Sequence, residues 1–450
     1  MPEALRTPVL IVGAGAVGLT LAIDLAWRGV RVVLMEQRSR GVAPPVKCNH
    51  VSARSMEVFR RLGIAQRIRD AGLPADYPHS VSYRTTMTGI ELTRVEIPSR
   101  KDRFTCTDGP DCGWPTPEPP HRINQIYLEP ILFAHAESLP QITVLSGVRY
   151  DRLEQTAEGV TAWATDTRKG TTLRIECRYL VACDGSHSQI RREIGAELSG
   201  DAILQRTQTT YIRAPELLGR LRSKPAWGNF SLNPRRCGNV YAIDGRQTWL
   251  VHNYLTRDEK DFDSVDRDAC LRAILGVGPE FRYDVLDDYN WYGRRLVCDR
   301  FRNGRVFLCG DASHIWVPYA GYGMNAGIAD AVDLSWMLAA HLTGWAPAAI
   351  LDAYEAERLP ITEQVSRFVM NHSIAMSKER LSVPDNIEAM DAAGEAARAA
   401  LGKQAYALNV QQYAAAGLNF GYFYDRSPLI GYDGATPPPY TMATFTASTV

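Results

Sequence analysis

The fold is decided near the start of the chain, at Pro8-Val9-Leu10-Ile11-Val12-Gly13-Ala14-Gly15-Ala16-Val17-Gly18. The unbroken apolar run over residues 8–12 is the pattern of a strand buried on both faces of a parallel sheet. A glycine-rich turn follows, then a helical pattern from Val17 to Arg28 that stops at Gly29. Val30 to Met35 is a second apolar strand, which completes a βαβ unit. In that context the three glycines acquire separate tasks. Gly13 permits the tight turn, Gly15 lets backbone N–H groups approach a pyrophosphate, and Gly18 lets helix and strand pack closely. Glu36 ends the second strand, where a carboxylate can accept both hydroxyls of an adenosine ribose. The combination predicts dinucleotide binding.

Working outward, a helix is expected from about Ser52 to Leu62, closed by Gly63, and another from Asn124 to Ser138. The stretch 142–182 alternates like three strands, the last being Tyr179 to Cys183. Residues 205–256 change character. Thr207–Arg213, Gly228–Pro234, Asn239–Ile243 and Gln247–Leu255 read as an antiparallel sheet, with Asp244-Gly245 as a two-residue hairpin signal. Val306–Cys309 returns to a buried parallel strand, and helical patterns cover 326–371 and 376–420. Pro437-Pro438-Pro439 and the Thr-rich end show no element.

Two later stretches distinguish between dinucleotides. Cys183-Asp184-Gly185-Ser186-His187-Ser188-Gln189-Ile190-Arg191 directly follows an apolar strand. By itself it is a turn signal. Gly304-Arg305-Val306-Phe307-Leu308-Cys309-Gly310-Asp311-Ala312-Ser313-His314 brings an Asp to the carboxyl end of a buried strand, where α/β ligands sit. Pro318 and the turn Gly321-Tyr322-Gly323-Met324-Asn325 then open a helix whose N-terminal N–H groups can face an anion or an electron-rich carbonyl.

These three motifs, in this order, resemble those of the class A FAD-dependent aromatic hydroxylases, such as para-hydroxybenzoate, phenol and polyketide hydroxylases, over residues 8–370. The resemblance implies an α/β fold: a Rossmann-type FAD-binding domain, an inserted antiparallel-sheet substrate domain and a helical C-terminal part. The expected division is 1–75, 105–185 and 296–345 for the FAD-binding domain, 76–104 and 186–295 for the substrate-binding sheet, and 346–450 for the helical region. It also implies that Gly13, Gly15, Gly18 and Glu36 bind the ADP half of FAD. Asp184, Gly185 and Arg191 match a motif associated with flavin and nicotinamide. Gly310 and Asp311 match the ribityl-binding segment, and Pro318, Gly321, Gly323, Met324 and Asn325 the segment lining the isoalloxazine. Arg54 resembles an arginine near the pyrophosphate, and Arg122 and Gln125 another FAD-contacting pair. Without the family, each would read as an ordinary polar residue beside a helix start. The sequence departs from the pattern at Ala320, where many relatives have Gly, and ends where several relatives continue into a thioredoxin-like domain.

The implied reaction is hydroxylation of a phenolic or related aromatic substrate, of one ring or several, with NADH or NADPH and O₂, through a flavin C4a-hydroperoxide. A base near the ring hydroxyl would assist, because an ionised phenol is the better nucleophile. Asn49 and His50, just before Arg54, are the candidates, and a loop histidine with a purely structural hydrogen bond is the plainer reading of the same residue. On the inserted sheet, alternation puts Trp249, Val251 and Asn253 on one face and Leu250, His252 and Tyr254 on the other. Which face meets the substrate is open. The competing functions are a flavoprotein that binds an aromatic compound or antibiotic without turnover, and another flavin oxidoreductase of the same fold.

Composition sets the outer limits. The chain has 450 residues with 50 Lys+Arg against 50 Asp+Glu, and the zero net charge argues against a nucleic-acid binder. Its length suggests two or three domains. No segment reaches the roughly 18 uninterrupted apolar residues of a membrane helix, so a cytoplasmic protein without stable membrane association is expected; a homodimer is allowed. The 9 Cys contain no C-x-x-C pair, which indicates neither a zinc site nor a disulfide framework.

Overall fold

A computed structural model describes residues 4–47, 49–317, 321–414 and 416–436, without the side chain of Ala202. Two eight-stranded sheets organise it. The path of the first runs Arg302–Asn303, Val306–Leu308, Thr171–Ala182, Leu5–Val12, Val32–Glu36 and Ile142–Ser146. Leu5–Val12 pairs in parallel with Val32–Glu36 on one side and Thr171–Ala182 on the other, and Val306–Leu308 is parallel to Thr171–Ala182. The apolar runs read from the sequence are these strands, with Val9, Leu10, Ile11, Leu180, Val181, Val306 and Phe307 fully buried. Parallel pairing has a direct consequence for function: the residues following these strands must emerge along one edge. Val148–Gln155 and Val160–Asp166 form a ribbon attached to the first half of Thr171–Ala182. Residues 142–182 thus hold four strands rather than three.

The second sheet runs His314–Ile315, Asp284–Cys298, Leu198–Arg213, Thr248–Tyr254, Gly238–Ala242, Gly228–Ser231, Val81–Arg84 and Glu91–Val95. It is antiparallel except where Gly228–Ser231 runs parallel to Val81–Arg84. Asp284–Cys298 is absent from the sequence reading because its first half carries Asp284, Asp287 and Asp288 and is exposed. Helix Arg267–Leu275, capped by Asp266 and closed by Gly276 at φ 72, covers the sheet face bearing Trp249 and Val251 with Leu271 and Ile274. On the opposite face, Leu250 packs with Val46 and Ile243, toward the strand edge of the first sheet. His314–Ile315 begins three residues after Asp311 and joins the second sheet at Leu296 and Val297, so the two sheets are joined beside that aspartate.

Asp244-Gly245 turns the chain as expected, but within a longer loop: Asp244 Oδ1 accepts the amides of Arg246, Gln247 and Thr248, each at 2.9 Å. The C-terminal part holds helices Ala353–Leu381, Ala392–Tyr413 and Ala416–Phe420. No helix among the described residues is long and apolar enough to cross a membrane. The cysteine reading needs one correction, since Cys106 and Cys112 form a disulfide with Cα atoms 5.8 Å apart. The loop that joins them turns back at Gly109, φ 111, and is pinned by the buried pair Arg103–Asp111 at 2.6 Å. Spacing outside C-x-x-C hid a pairing that depends on this fold-back.

Candidate active site

Four strand ends converge: Gly13 follows Val12, Asp184 follows Ala182 and Cys183, Gly310 and Asp311 follow Leu308 and Cys309, and Glu36 ends its own strand. The glycines there obey different constraints. A Cβ on Gly13, at φ 105, would fall on the Cys183 carbonyl, and one on Gly18 would fall on the carbonyl of Gly13. Both are required by the protein's own backbone packing. Gly15 is different. Its φ is −74 and a Cβ would meet only Glu129 Oε1, at 3.7 Å. Gly323, in the first turn of helix Tyr322–Leu342, would meet nothing described within 4 Å, and Gly185, at φ 81, also faces open space.

Glu36 uses Oε2 to accept the Ala14 amide (2.8 Å) and Oε1 to accept the Arg38 amide (2.9 Å). The Arg38 guanidinium then spans Glu36 (3.1 Å) and Glu129 (3.1 Å), and Gln125 donates to the other Glu129 oxygen. Burial pushes the Glu129 carboxyl up, against the pull of Gln125 and Arg38. The sequence reading named Glu36 and Gln125 but not Arg38 and Glu129, which join them in this network. The available signals were Arg38 two residues after Glu36 and Glu129 one helical turn after Gln125.

Asp184 Oδ2 accepts the amides of Gln189 (3.0 Å) and Ile190 (3.4 Å), while its buried Oδ1 has no hydrogen-bond partner among the described residues. Desolvation raises its carboxyl. Arg191 ties the two motif loops together, donating to the Ser186 carbonyl at 3.0 Å and the Ala312 carbonyl at 3.1 Å. Asp311 is exposed at the end of its strand. The protein around it raises its carboxyl by desolvation, offset by the charges of His314 and Lys47.

Gly310, at φ 64, lies against Val17 and Gly327, so that helix Ala16–Trp27 and helix Tyr322–Leu342 meet beneath the Asp311 loop. Behind it Asp330 accepts from the Gly310 amide (3.3 Å), His314 Nε2 (2.7 Å) and Arg358 Nε (2.8 Å). Burial opposes its charge, but His314 and Arg358 together hold the carboxyl below its ordinary range. Asp330, inside a helix and distant in sequence from its partners, carried no local signal.

Asn325 spends its whole amide on the protein. Its Oδ1 accepts Ser52 N (2.9 Å) and Ser55 Oγ (2.8 Å), and its Nδ2 donates to the carbonyls of His50 (3.1 Å) and Gly321 (2.6 Å). The loop of His50 is thereby fastened to the helix entrance, and Gly321 (φ 65) leaves 2.8 Å between a built Cβ and the His50 Cβ. Asn49 Oδ1 accepts Asn124 Nδ2 at 2.6 Å. Arg54 turns toward the C-terminal segment, donating to the Asn419 carbonyl (3.0 Å) beside the rings of Phe420 and Tyr422. Arg122 is buried over the Trp227 ring, 4.8 Å from its centroid. Met324 packs against the buried apolar cluster built on the first sheet. Pro318 lies outside the described residues.

The site fits a dinucleotide on two observations. Gly15 and Gly323 leave open space before them among the described residues, where a bound group can approach the backbone. The unpartnered Asp184 oxygen is likewise a buried acceptor awaiting a donor. Residues 6–369 match the family model described as "FAD binding domain". A putative polyketide hydroxylase of Streptomyces halstedii is 30% identical over 441 residues, covering 96% of this chain and 73% of that protein. Among solved structures, the rebeccamycin biosynthetic enzyme RebC with reduced flavin superposes with a TM-score of 0.85 at 32% identity, over 97% of this chain and 80% of that one. Aklavinone-11 hydroxylase in ternary complex with FAD and aklavinone gives 0.73 at 28% identity, over 84% and 70%. The chain therefore belongs to the FAD binding domain family, among the class A FAD-dependent aromatic hydroxylases.

Proposed function

We propose that the protein is an NAD(P)H-using monooxygenase that hydroxylates a phenolic or polyketide-like aromatic compound. The observation that carries this reading is the position of the four strand ends beside the aromatic face of the second sheet, with the His50 loop between them. Tyr289 of that sheet donates to the Val46 carbonyl at 2.7 Å, and Lys47, next along, acts electrostatically on Asp311. Bound FAD would supply the redox chemistry with NAD(P)H and O₂.

The protein's own part is to bind and position. Gly13, Gly15 and Gly18 shape the pyrophosphate turn, Glu36 and Arg38 the ribose end, and Asp311 receives the ribityl hydroxyls. Gly310, Gly321, Gly323 and Met324 form the entrance to helix Tyr322–Leu342. In this reading the first sheet's unit holds FAD and the second sheet holds the substrate, which keeps the reacting ring away from bulk water. His50, fixed by Asn325, takes the phenol proton, and Asn49 keeps the loop against Asn124.

The test is a flavin spectrum of the purified protein, followed by NAD(P)H oxidation with a panel of phenols while peroxide is trapped. Substrate-stimulated oxidation with a product heavier by one oxygen is expected. A colourless protein that FAD does not reconstitute defeats the reading. His50→Ala should remove the acidic limb of the pH–rate profile, and an unchanged profile takes His50 out of the reaction.

A further inference from the structure

His252 lies in the middle of the second sheet, on the face turned toward the His50 loop. Register places it across from Thr209 on one neighbouring strand and Asn239 on the other, while Thr209 also sits across from Tyr289. Paired residues share a face, so His252, Thr209, Tyr289 and Asn239 form one row, with Tyr241, Leu250, Tyr211 and Trp291 beside it. Tyr289 reaches the Val46 carbonyl from this row. The face is therefore the one that meets the first unit.

The imidazole is held from three directions. Its Nδ1 is 2.8 Å from Thr209 Oγ1, which in turn accepts the Trp291 Nε1 proton at 2.7 Å. The rings of Tyr241 and Trp291 stand edge-on to it, with centroids at 5.7 and 6.1 Å. Nε2 makes no hydrogen bond among the described residues, and the ring is half-buried. An apolar side chain would complete this aromatic surface without the cost of desolvating a ring nitrogen. Desolvation lowers the imidazole pKa to about 4, so it is neutral near pH 7.

We infer that His252 binds the substrate, its Nε2 taking a ring hydroxyl of the aromatic compound while Tyr241 and Trp291 flank the ring. This rests on the hydroxylase reading for the identity of the ligand. A hydroxyl suits the geometry in either tautomer, because it accepts from an Nε2–H and donates to a bare Nε2. A ring ether satisfies only the first and adds a methyl group against the flanking aromatics. His252 is thus a determinant of which hydroxylated rings are held, and acts separately from His50.

The test uses FAD-loaded protein and two probes, 1,8-dihydroxyanthraquinone and its dimethyl ether, with dissociation constants read from the perturbed flavin spectrum. Wild type should favour the hydroxylated probe at least tenfold. His252→Phe should abolish that preference while retaining stoichiometric FAD, and His252→Gln should restore part of it. Thr209→Val, which keeps strand shape but releases Nδ1, should reduce the preference several-fold and guards against a folding defect in the first variant. An undiminished preference in His252→Phe overturns the inference, as does a wild type that discriminates between neither probe. Selective binding through His252 without faster NAD(P)H oxidation supports the site and defeats the monooxygenase reading.

Discussion

Gly15 and Gly18 stand three residues apart and answer to different neighbours. Gly18 is required by the Gly13 carbonyl, whereas Gly15 and Gly323 have space before them among the described residues. Gly323→Ala makes the distinction measurable. In the first turn of a helix, Ala is favoured over Gly by up to about 1 kcal/mol, so the apoprotein should melt slightly higher. Its affinity for FAD should fall about tenfold if the added methyl meets the cofactor. Calorimetry of the apoprotein and flavin titration read these separately, and unchanged FAD affinity would show that this turn does not approach it. Gly18→Ala should behave oppositely, with loss of folded protein before any question of cofactor arises. Spacing alone made the turn at Gly13 and the close packing at Gly18 legible, because each is local to one turn. Gly327 escaped notice because its constraint is a distant helix: Val17, at 2.6 Å from a built Cβ.

Among elements, the opening strand, helix and second strand were legible within three residues at each end because apolar periodicity and glycine punctuation agree. The strand Asp284–Cys298 was hidden by its acidic, exposed first half, and the convergence of its far end with His314–Ile315 has no sequence signature. The same holds for the support of the Asp311 loop. Asp330, His314 and Arg358 lie on different elements and only the fold assembles them. Asp330 is wholly buried, so removing its charge leaves Arg358 buried beside a neutral amide. Breaking such a pair costs about 3–5 kcal/mol. Asp330→Asn is expected to lower the urea midpoint accordingly and to release FAD with the loosened loop. A variant of wild-type stability and full flavin content would show that the Gly310–Asp311 turn is held by glycine packing alone.

For the whole molecule, the balance of buried titratable groups sets a pH dependence. His79, enclosed near Arg103, Arg100 and Arg69, is lowered by burial to about 3, while His252 and His372 are lowered to about 4 and His121 lies well below 6.5. Each is neutral in the native protein where the unfolded chain already binds a proton. Unfolding therefore takes up protons as pH falls below 6.5, and stability drops until the native pKa values are reached. Asp333 works the other way, because burial raises its carboxyl to about 7 and the native state holds a proton that the unfolded chain lacks down to its ordinary range. Burial shifts Asp111, Asp184, Glu129 and Glu379 in that same sense. Four histidines losing on the order of 1–2 kcal/mol each between pH 6.5 and 5 outweigh the one carboxyl that titrates near neutrality. Urea midpoints of the FAD-loaded protein should fall steadily from pH 7 to pH 5. His372→Phe replaces an imidazole whose Nε2 has no hydrogen-bond partner among the described residues, and should flatten that slope by about one histidine's share. Midpoints that hold level or rise toward pH 5 would mean that the raised carboxyls, and not the histidines, govern the acid limb.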